Sequence, residues 1–271
     1  MEDCSIGINK PKPLIYISND LTKRERLVFN FLVKLVNTQI KIEKPSYVFT
    51  LGNIKNVYNI RNFEVIRGIL FKLTETKIEI DLLKNKRYLK VIENVLIRKT
   101  EIEVLFTNDF IDLFIDKHYA QIDLKVMSKL NSKYSIIIYE MIKDYYRKNN
   151  YFVQIPHIEL QIFKRLMGNE KLSNSDLKRF VLDKIIIDIE KHTDFNLKYS
   201  FLNKNGSKKY THIEIKFSKE KLEEVKKKKL NQRGEEYFDL VKRQIKLEEA
   251  TQKYKDAVKE FNKMVDDNNS Y

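Results

Sequence analysis

The sequence has 271 residues, enough for two modest domains, and 42% of them are hydrophobic, which is too apolar for a wholly disordered chain. Its 52 lysine and arginine residues outnumber 38 acidic residues and give a formal net charge of +14, as expected of a protein that binds nucleic acid. Cys4 is the single cysteine, and no apolar run approaches the roughly 18 residues that cross a bilayer. We therefore expect a cytoplasmic globular protein that has neither disulfides nor a membrane partner.

The chain begins with residues 1–13, where two prolines and weak periodicity predict a flexible arm. The sequence T-K-R-E that starts at Thr22 has the spacing of a capping box and predicts a helix ending near Asn37. Apolar spacing predicts two further helices, one over residues 50–58 and one from about Asn62.

From Lys77 onward, apolar residues alternate with charged ones, a period typical of strands. A polar turn at residues 84–87 separates the first strand from a second that runs through Val95, and a third covers residues 102–106. Three helices followed by a β-hairpin are the element order of a winged-helix domain, which we assign to residues 14–122.

The second half of the chain repeats this order without obvious sequence identity to the first. The predicted elements are helices from Asn131 or Ser132, over about residues 158–167 and about 174–192, and strands over residues 196–202 and 210–217. The pair Asn205-Gly206 between the strands is a strong hairpin signal. The sequence therefore predicts an α+β fold with two tandem winged-helix domains, the second over residues 123–220.

Residues 221–271 form a charged segment that we predict to be a helical tail. Its apolar residues follow the alternating steps of three and four of a coiled-coil seam, which Arg243 interrupts: Leu240, Leu247, Ala250, Tyr254, Ala257, Phe261 and Met264. Such a helix either packs back on the second domain or pairs with a partner or a second copy.

A winged helix places its third helix in the major groove of DNA, and its hairpin wing lies beside the groove. In the second domain we expect Arg179 and Asn174 to contact bases, because arginine pairs with guanine and asparagine with adenine. The predicted phosphate contacts lie on the same helix and on the wing: Lys171, Ser173, Ser175, Lys178, Lys204, Lys208 and Lys209. A charged helix face is often only a solvated surface, but the adjacent basic wing favours DNA.

The first domain offers a weaker DNA contact. Its candidate residues lie at the start of the third helix and on the predicted wing: Arg61, Asn62, Arg67, Lys86 and Arg87. Residues 1–122 contain 20 basic and 15 acidic residues, whereas the shorter stretch 123–220 contains 19 and 12. We therefore assign the main reading role to the second domain.

Enzymatic chemistry finds little support in the sequence. A nicking tyrosine, as in rolling-circle initiators, needs a metal held by an H-x-H pair, and the four histidines are never so paired. The tyrosines of residues 132–146 have the spacing of helical core residues instead. The sequence contains neither a Walker phosphate loop nor a Cys/His cluster, so we expect no enzyme activity, no metal and no cofactor.

Several stretches resemble the initiator Rep proteins of iteron plasmids. They are L-N-S-K-Y-S-I-I-I-Y-E from Leu130, D-L-K-R-F-V-L from Asp176, I-E-K-H-T-D from Ile189, I-E-I-K-F from Ile213 and, more weakly, L-T-K-R-E-R-L from Leu21. The resemblance covers residues 14–218 and is stronger in the second half.

The resemblance implies a biological role that charge and periodicity do not. It implies that the second winged helix binds the repeated origin sequences, and that the first forms the dimer contact and adds DNA contacts. Dimers would repress the initiator's own gene, while monomers would bind the repeats and open the origin. A host replication initiator and the replicative helicase are further partners it suggests. The alternative function is a transcriptional regulator with the same architecture.

Overall fold

A computed structural model describes residues 7–18, 21–39, 46–58, 60, 62–80, 87–99, 101–115, 118–146, 152–204 and 209–218. They belong to one compact unit, residues 1–219. The predicted tail, with its coiled-coil spacing, and the turn at Asn205-Gly206 lie outside the described residues.

The described part of the chain alternates helices with short strands. Its strands are β1 (Gly7–Pro11), β2 (Ser46–Thr50), β3 (Lys77–Ile80), β4 (Arg87–Lys90), β5 (Ile92–Arg98), β6 (Glu101–Phe106), β7 (Tyr119–Asp123), β8 (Phe152–Glu159), β9 (Asn196–Leu202) and β10 (His212–Ser218). Its helices are α1 (Lys23–Gln39), α2 (Leu51–Tyr58), α3 (Phe63–Glu75), α4 (Asn108–Asp112), α5 (Leu124–Lys129), α6 (Lys133–Tyr145), α7 (Leu160–Leu166), α8 (Asn174–Asp176) and α9 (Asp183–His192), with a π-helical segment, Leu177–Leu182, joining α8 to α9.

The elements from α1 to β6 form the first winged-helix unit. Strand β2, which lies between α1 and α2, pairs with β6, and β6 pairs with β5, so that the antiparallel order is β2-β6-β5. The buried face of this sheet packs against α1, where the rings of Phe31 and Phe49 meet edge to face at 5.2 Å. This aromatic packing fixes the helices on one side of the sheet.

The elements from α6 to β10 form the second winged-helix unit with the same topology. Strand β8 lies between α6 and α7 and pairs with β10, which pairs with β9 to give the order β8-β10-β9. Each unit thus joins the strand between its first two helices to the hairpin that follows its third helix. The predicted repeat and the α+β class are confirmed.

The wing of the first unit is not where the sequence placed it. We expected Lys86 and Arg87 on that wing, but Arg87 lies in β4, which pairs with β3 in a separate two-stranded ribbon. The hairpin of the winged helix is β5–β6, and Lys99 in its turn has a positive φ of 29°. The chain changes sheets at Val91, where Val91 and Ile92 are both buried and break the alternation of a single strand.

The predicted helix over residues 158–167 is also shorter than expected, because Ile158 and Glu159 belong to β8 and the helix begins at Leu160. Pro156 lies within β8 and has no amide hydrogen to donate. Such a residue is tolerated on an edge strand, and β8 is the edge of its sheet.

The predicted flexible arm is wrong for residues 7–11, which form β1 and pair antiparallel with β7 from Gly7–Asp123 to Pro11–Tyr119. Sequence periodicity could not reveal this strand, because its partner is more than a hundred residues away. The same pairing crosses the predicted domain boundary, since Ile122 and Asp123 are consecutive residues of β7.

Strand β1 carries Lys10 into a fully buried polar cluster that also contains Arg26, Asn30 and Glu140. The Lys10 ammonium group donates to Asn30 Oδ1 at 2.8 Å and to Glu140 Oε1 at 2.9 Å, while the Arg26 guanidinium group pairs with Glu140 Oε2. Burial lowers the pKa of Lys10 to about 7, against the opposing effect of Glu140. Burial alone would raise the pKa of Glu140, but the two cations lower it. The cluster ties β1 and α1 to α6, and so joins the two units.

Candidate nucleic-acid interface

The third helix of the second unit spans α8, the π-helical segment and α9. Ser173 caps its start: the Ser173 hydroxyl accepts from the Asp176 backbone amide at 3.1 Å and donates to the Asp176 carboxylate at 2.7 Å. The buried side chains recur one turn apart along one face and hold the helix on the sheet: Leu177, Val181, Ile185 and Ile189. The opposite face is therefore left to solvent or to a ligand.

The predicted DNA-contacting residues of this helix lie on or beside that open face. Lys178 and Arg179 are exposed, Ser175 is exposed, and Asn174, the first helical residue, is half-buried. Lys171 is exposed in the turn before the helix. Ser173 is also exposed, but its hydroxyl is engaged in the cap, so a phosphate contact there would compete with it.

The wing follows the helix as the hairpin β9–β10. Lys204 and Lys209 are exposed at its tip, whereas Lys208 lies outside the described residues. The rings of Tyr199, Phe201 and Tyr210 form a chain of neighbours at 5.8 and 5.6 Å along the hairpin. These aromatic contacts stiffen the wing.

A side-chain hydrogen bond fixes the wing to the helix. The Tyr199 hydroxyl donates to Asp183 Oδ1 at 2.8 Å, from β9 to the first turn of α9. Burial and this hydrogen bond raise the pKa of Tyr199, so the phenol remains a hydrogen-bond donor above the pH at which a solvated tyrosine ionises. The helix and the wing are thereby held in one geometry before any ligand arrives.

Sequence analysis missed further basic residues of this surface. Lys184 and Lys191 are exposed on α9, and Lys198 is exposed on β9. Lys184 and Lys191 are seven residues apart, or about two helical turns, so the sequence places them on one face of the helix. The predicted DNA contacts were limited to the first turns of the helix and did not include them.

The first unit places its candidates less favourably. Asn62 caps α3 by accepting from the Glu64 amide at 3.0 Å, and Arg67 lies 3.9 Å from Glu64 on the same helix. Arg61 and Lys86 lie outside the described residues, and Arg87 is exposed in β4, away from the β5–β6 hairpin.

A basic hollow of about 920 Å³ surrounds the start of α3, and sequence analysis did not find it. Lys23, Arg24 and Lys55 line it from α1 and α2, together with Asn62 and Ser128. None of the described residues that line it is acidic. Lys23 and Arg24 are adjacent in the sequence, but Lys55 and the polar lining residues meet them only through the packing of the helices, so no local pattern could have revealed the hollow.

The tyrosines that invited a catalytic interpretation are core residues, as predicted. Tyr139 is only 3% exposed, and Tyr134, Tyr145 and Tyr146 pack against the hydrophobic core. Within the described ranges, no group of three or more His, Cys, Asp or Glu side chains is arranged to hold a metal ion. Among the helices that the structure describes, none is both long and apolar enough to cross a membrane.

Two winged-helix units with the same topology, one of them carrying a basic helix beside a basic wing, define a tandem winged-helix protein. Sequence models of one family match both units: "Initiator Replication protein, WH1" matches residues 8–143, and "Initiator Rep protein, WH2" matches residues 159–217. The chain therefore belongs to the initiator replication protein family.

Solved structures resemble the chain at low sequence identity. The Pi initiator protein in complex with iteron DNA is 17% identical, with a TM-score of 0.59 over 79% of this chain and 97% of that chain. Domains 2 and 3 of RctB are 8% identical, with a TM-score of 0.43 over 72% of this chain and 81% of that chain. A comparison with curated protein sequences gave no match.

Proposed function

We propose that this chain initiates plasmid replication by binding repeated sequences in double-stranded origin DNA and helping to open the duplex beside them. The observation that carries the proposal is the third helix of the second unit, on which Lys178 and Arg179 are exposed and which the hydrogen bond from Tyr199 to Asp183 joins to the basic wing. Membership of the initiator family supports it, as does the likeness to the Pi initiator, whose structure contains iteron DNA.

In the proposed complex, the third helix of the second unit lies in the major groove. Arg179 pairs with a guanine and Asn174 with an adenine, while the lysines of the helix and the wing neutralise phosphates. Each neutralised phosphate releases counterions, so binding weakens steeply as salt is added. The first unit adds phosphate contacts through the basic hollow of Lys23, Arg24 and Lys55.

Origin opening, in this proposal, involves no bond chemistry, cofactor or metal. The binding free energy gained at several repeats is coupled to unpairing of adjacent DNA, and the protein acts by contact alone. A host replication initiator and the replicative helicase are the partners we expect next to the opened strands. A plasmid replicates in the cytoplasm, so we expect the protein there.

We further propose that the first unit forms a homodimer that represses the initiator's own gene. Val48 and Leu96 are 52% and 44% exposed, and both lie opposite Glu103 in the β2-β6-β5 sheet. Two large apolar side chains in one exposed row are suited to self-association.

The experiment that tests the proposal uses the full chain and the DNA that flanks its gene. Footprinting should show protection of direct repeats spaced by about two helical turns, and thymines beside them should become reactive to permanganate as the duplex opens. The same DNA with the repeats scrambled is the control. Protection of a lone inverted repeat without reactive thymines would contradict the proposal and favour a transcriptional regulator.

A further inference from the structure

Two large apolar side chains interrupt the basic face of the third helix in the second unit. Phe180 is 46% exposed in the π-helical segment, and Ile187 is 68% exposed in α9. Exposing such groups to water is unfavourable, and other apolar residues of the same helix are buried in the core. An exposed apolar pair on a binding face is therefore a candidate contact.

Phe180 and Ile187 share one stripe with two lysines. The positions 180, 184, 187 and 191 follow helical steps of four, three and four, so apolar and cationic side chains alternate along it. Seven residues of helix span roughly 10 Å, which corresponds to about three base-pair steps of DNA. The two apolar side chains could thus reach two separate base pairs in one groove.

The surroundings of Phe180 indicate which class of partner the stripe fits. The Arg179 guanidinium group lies 5.2 Å from the centre of the Phe180 ring, and the Lys184 ammonium group lies 5.8 Å from it. These cation–π contacts hold the ring in place and put two positive charges next to it. A polyanion that also offers an apolar group matches this surface, whereas an apolar protein face would have to desolvate both cations.

We propose that Phe180 and Ile187 read thymines by packing against their 5-methyl groups in the major groove, an inference that rests on the proposed function. The thymine methyl is the apolar group that a base pair presents there. Since Arg179 precedes Phe180 directly, the thymine read by Phe180 lies next to the guanine read by Arg179. The thymine read by Ile187 lies about three base pairs away.

The test starts from the duplex that the full chain selects out of a random DNA library. Each thymine of the selected site is replaced in turn by deoxyuridine, which removes only the 5-methyl group, and equilibrium binding is measured for each duplex. The wild-type chain should lose about fourfold in affinity at two positions, the effect of one buried methyl group at each. Phe180→Ala should abolish the loss at one position and Ile187→Ala at the other.

Matched controls are Phe71→Ala and Ile115→Ala, which truncate exposed apolar side chains outside the second unit (43% and 75% exposed) and should keep both losses. Phe180→Leu keeps an apolar contact and should retain part of the first loss, and thermal melting of every variant checks the fold. The inference is overturned if no replacement of thymine by deoxyuridine lowers the affinity, or if Phe180→Ala loses as much affinity as the wild type at the same positions. It is also overturned if Phe180→Ala changes self-association but not DNA binding. Failure to select any consensus would instead overturn the proposed function itself.

Discussion

At the scale of single residues, Lys10 separates what the sequence can predict from what it cannot. A lysine near the N-terminus, directly before a proline, is expected to be solvated, yet the Lys10 side chain is fully buried. Its partner Glu140 lies 130 residues away in α6. Local patterns carry no information about such a contact, whereas the capping residues Thr22 and Ser132 were predicted from their immediate neighbours.

Removal of the Glu140 charge should be strongly destabilising. In Glu140→Gln, the buried Arg26 guanidinium group would lose its counter-ion, and we expect the free energy of unfolding to fall by about 3–5 kcal/mol. Urea denaturation measures this. Glu93→Gln, which removes the partner of Lys90 in an exposed pair at 3.4 Å, should change stability by less than about 1 kcal/mol. Equal effects of the two substitutions would show that the buried cluster contributes little.

Lys10 should also make stability depend on pH. Its pKa is lowered from 10.5 to about 7 in the folded state, so the unfolded chain binds more protons between these values and stability rises with pH there. This contribution is fully present above about 10.5 and is lost as pH falls toward 7. Relative to Lys10→Met, the wild type should gain up to about 1.4 kcal/mol per pH unit between about pH 7 and 9. The measurement is the free energy of unfolding of both proteins at several pH values. A difference between them that stays constant over this pH range would contradict the prediction.

At the scale of elements, long periodic segments were predicted well and short strands were not. The third helix of the second unit runs over residues 174–192 as expected, because its apolar spacing extends over five turns. Strands β1, β2, β7 and β8 were missed, since each depends on a distant partner rather than on its own alternation. The π-helical segment left no trace in the spacing, because its buried residues still recur every four positions.

The cap of this helix gives a prediction at the same scale. Ser173→Ala removes the side-chain acceptor of the Asp176 amide, and we expect it to lower the free energy of unfolding by about 1 kcal/mol. Ser175→Ala, two residues further on, is the matched control and should be nearly neutral. Denaturant unfolding monitored by circular dichroism compares the two. If Ser175→Ala costs as much as Ser173→Ala, the helix begins later than the structure shows.

At the scale of the whole molecule, the repeated topology was predictable, but the joint between the units was not. Besides the Lys10 cluster, Arg165 of α7 pairs with Glu79 of β3 at 2.7 Å, and Tyr16 donates to Asp144 of α6 at 2.8 Å. Such pairs between units have no local sequence signature. The predicted boundary after residue 122 therefore cuts a strand, and the two predicted domains share one compact unit.

Self-association is a property of the whole molecule that the exposed sheet predicts. Val48→Lys combined with Leu96→Lys would place like charges in the proposed contact and should weaken the dimer. Sedimentation velocity of the full chain should then show more monomer and less dimer than for the wild type. Ile115→Lys, which charges a more exposed apolar site outside the β2-β6-β5 sheet, should leave the dimer intact. If the double variant remains dimeric while deletion of residues 236–271 abolishes the dimer, the tail rather than the sheet carries the contact.

The central claim is that the third helix of the second unit reads the DNA sequence while the wing binds phosphates. The most direct test measures the affinity of the protein for the selected duplex and for a random duplex over a range of salt concentrations. Arg179→Ala should weaken binding to the selected duplex by about 1–3 kcal/mol and leave binding to random duplex nearly unchanged. Lys208→Ala combined with Lys209→Ala should weaken both alike and lower the salt slope by about 1 to 2 units. Equal losses on both duplexes for Arg179→Ala, or an unchanged slope for the lysine variant, would contradict the claim.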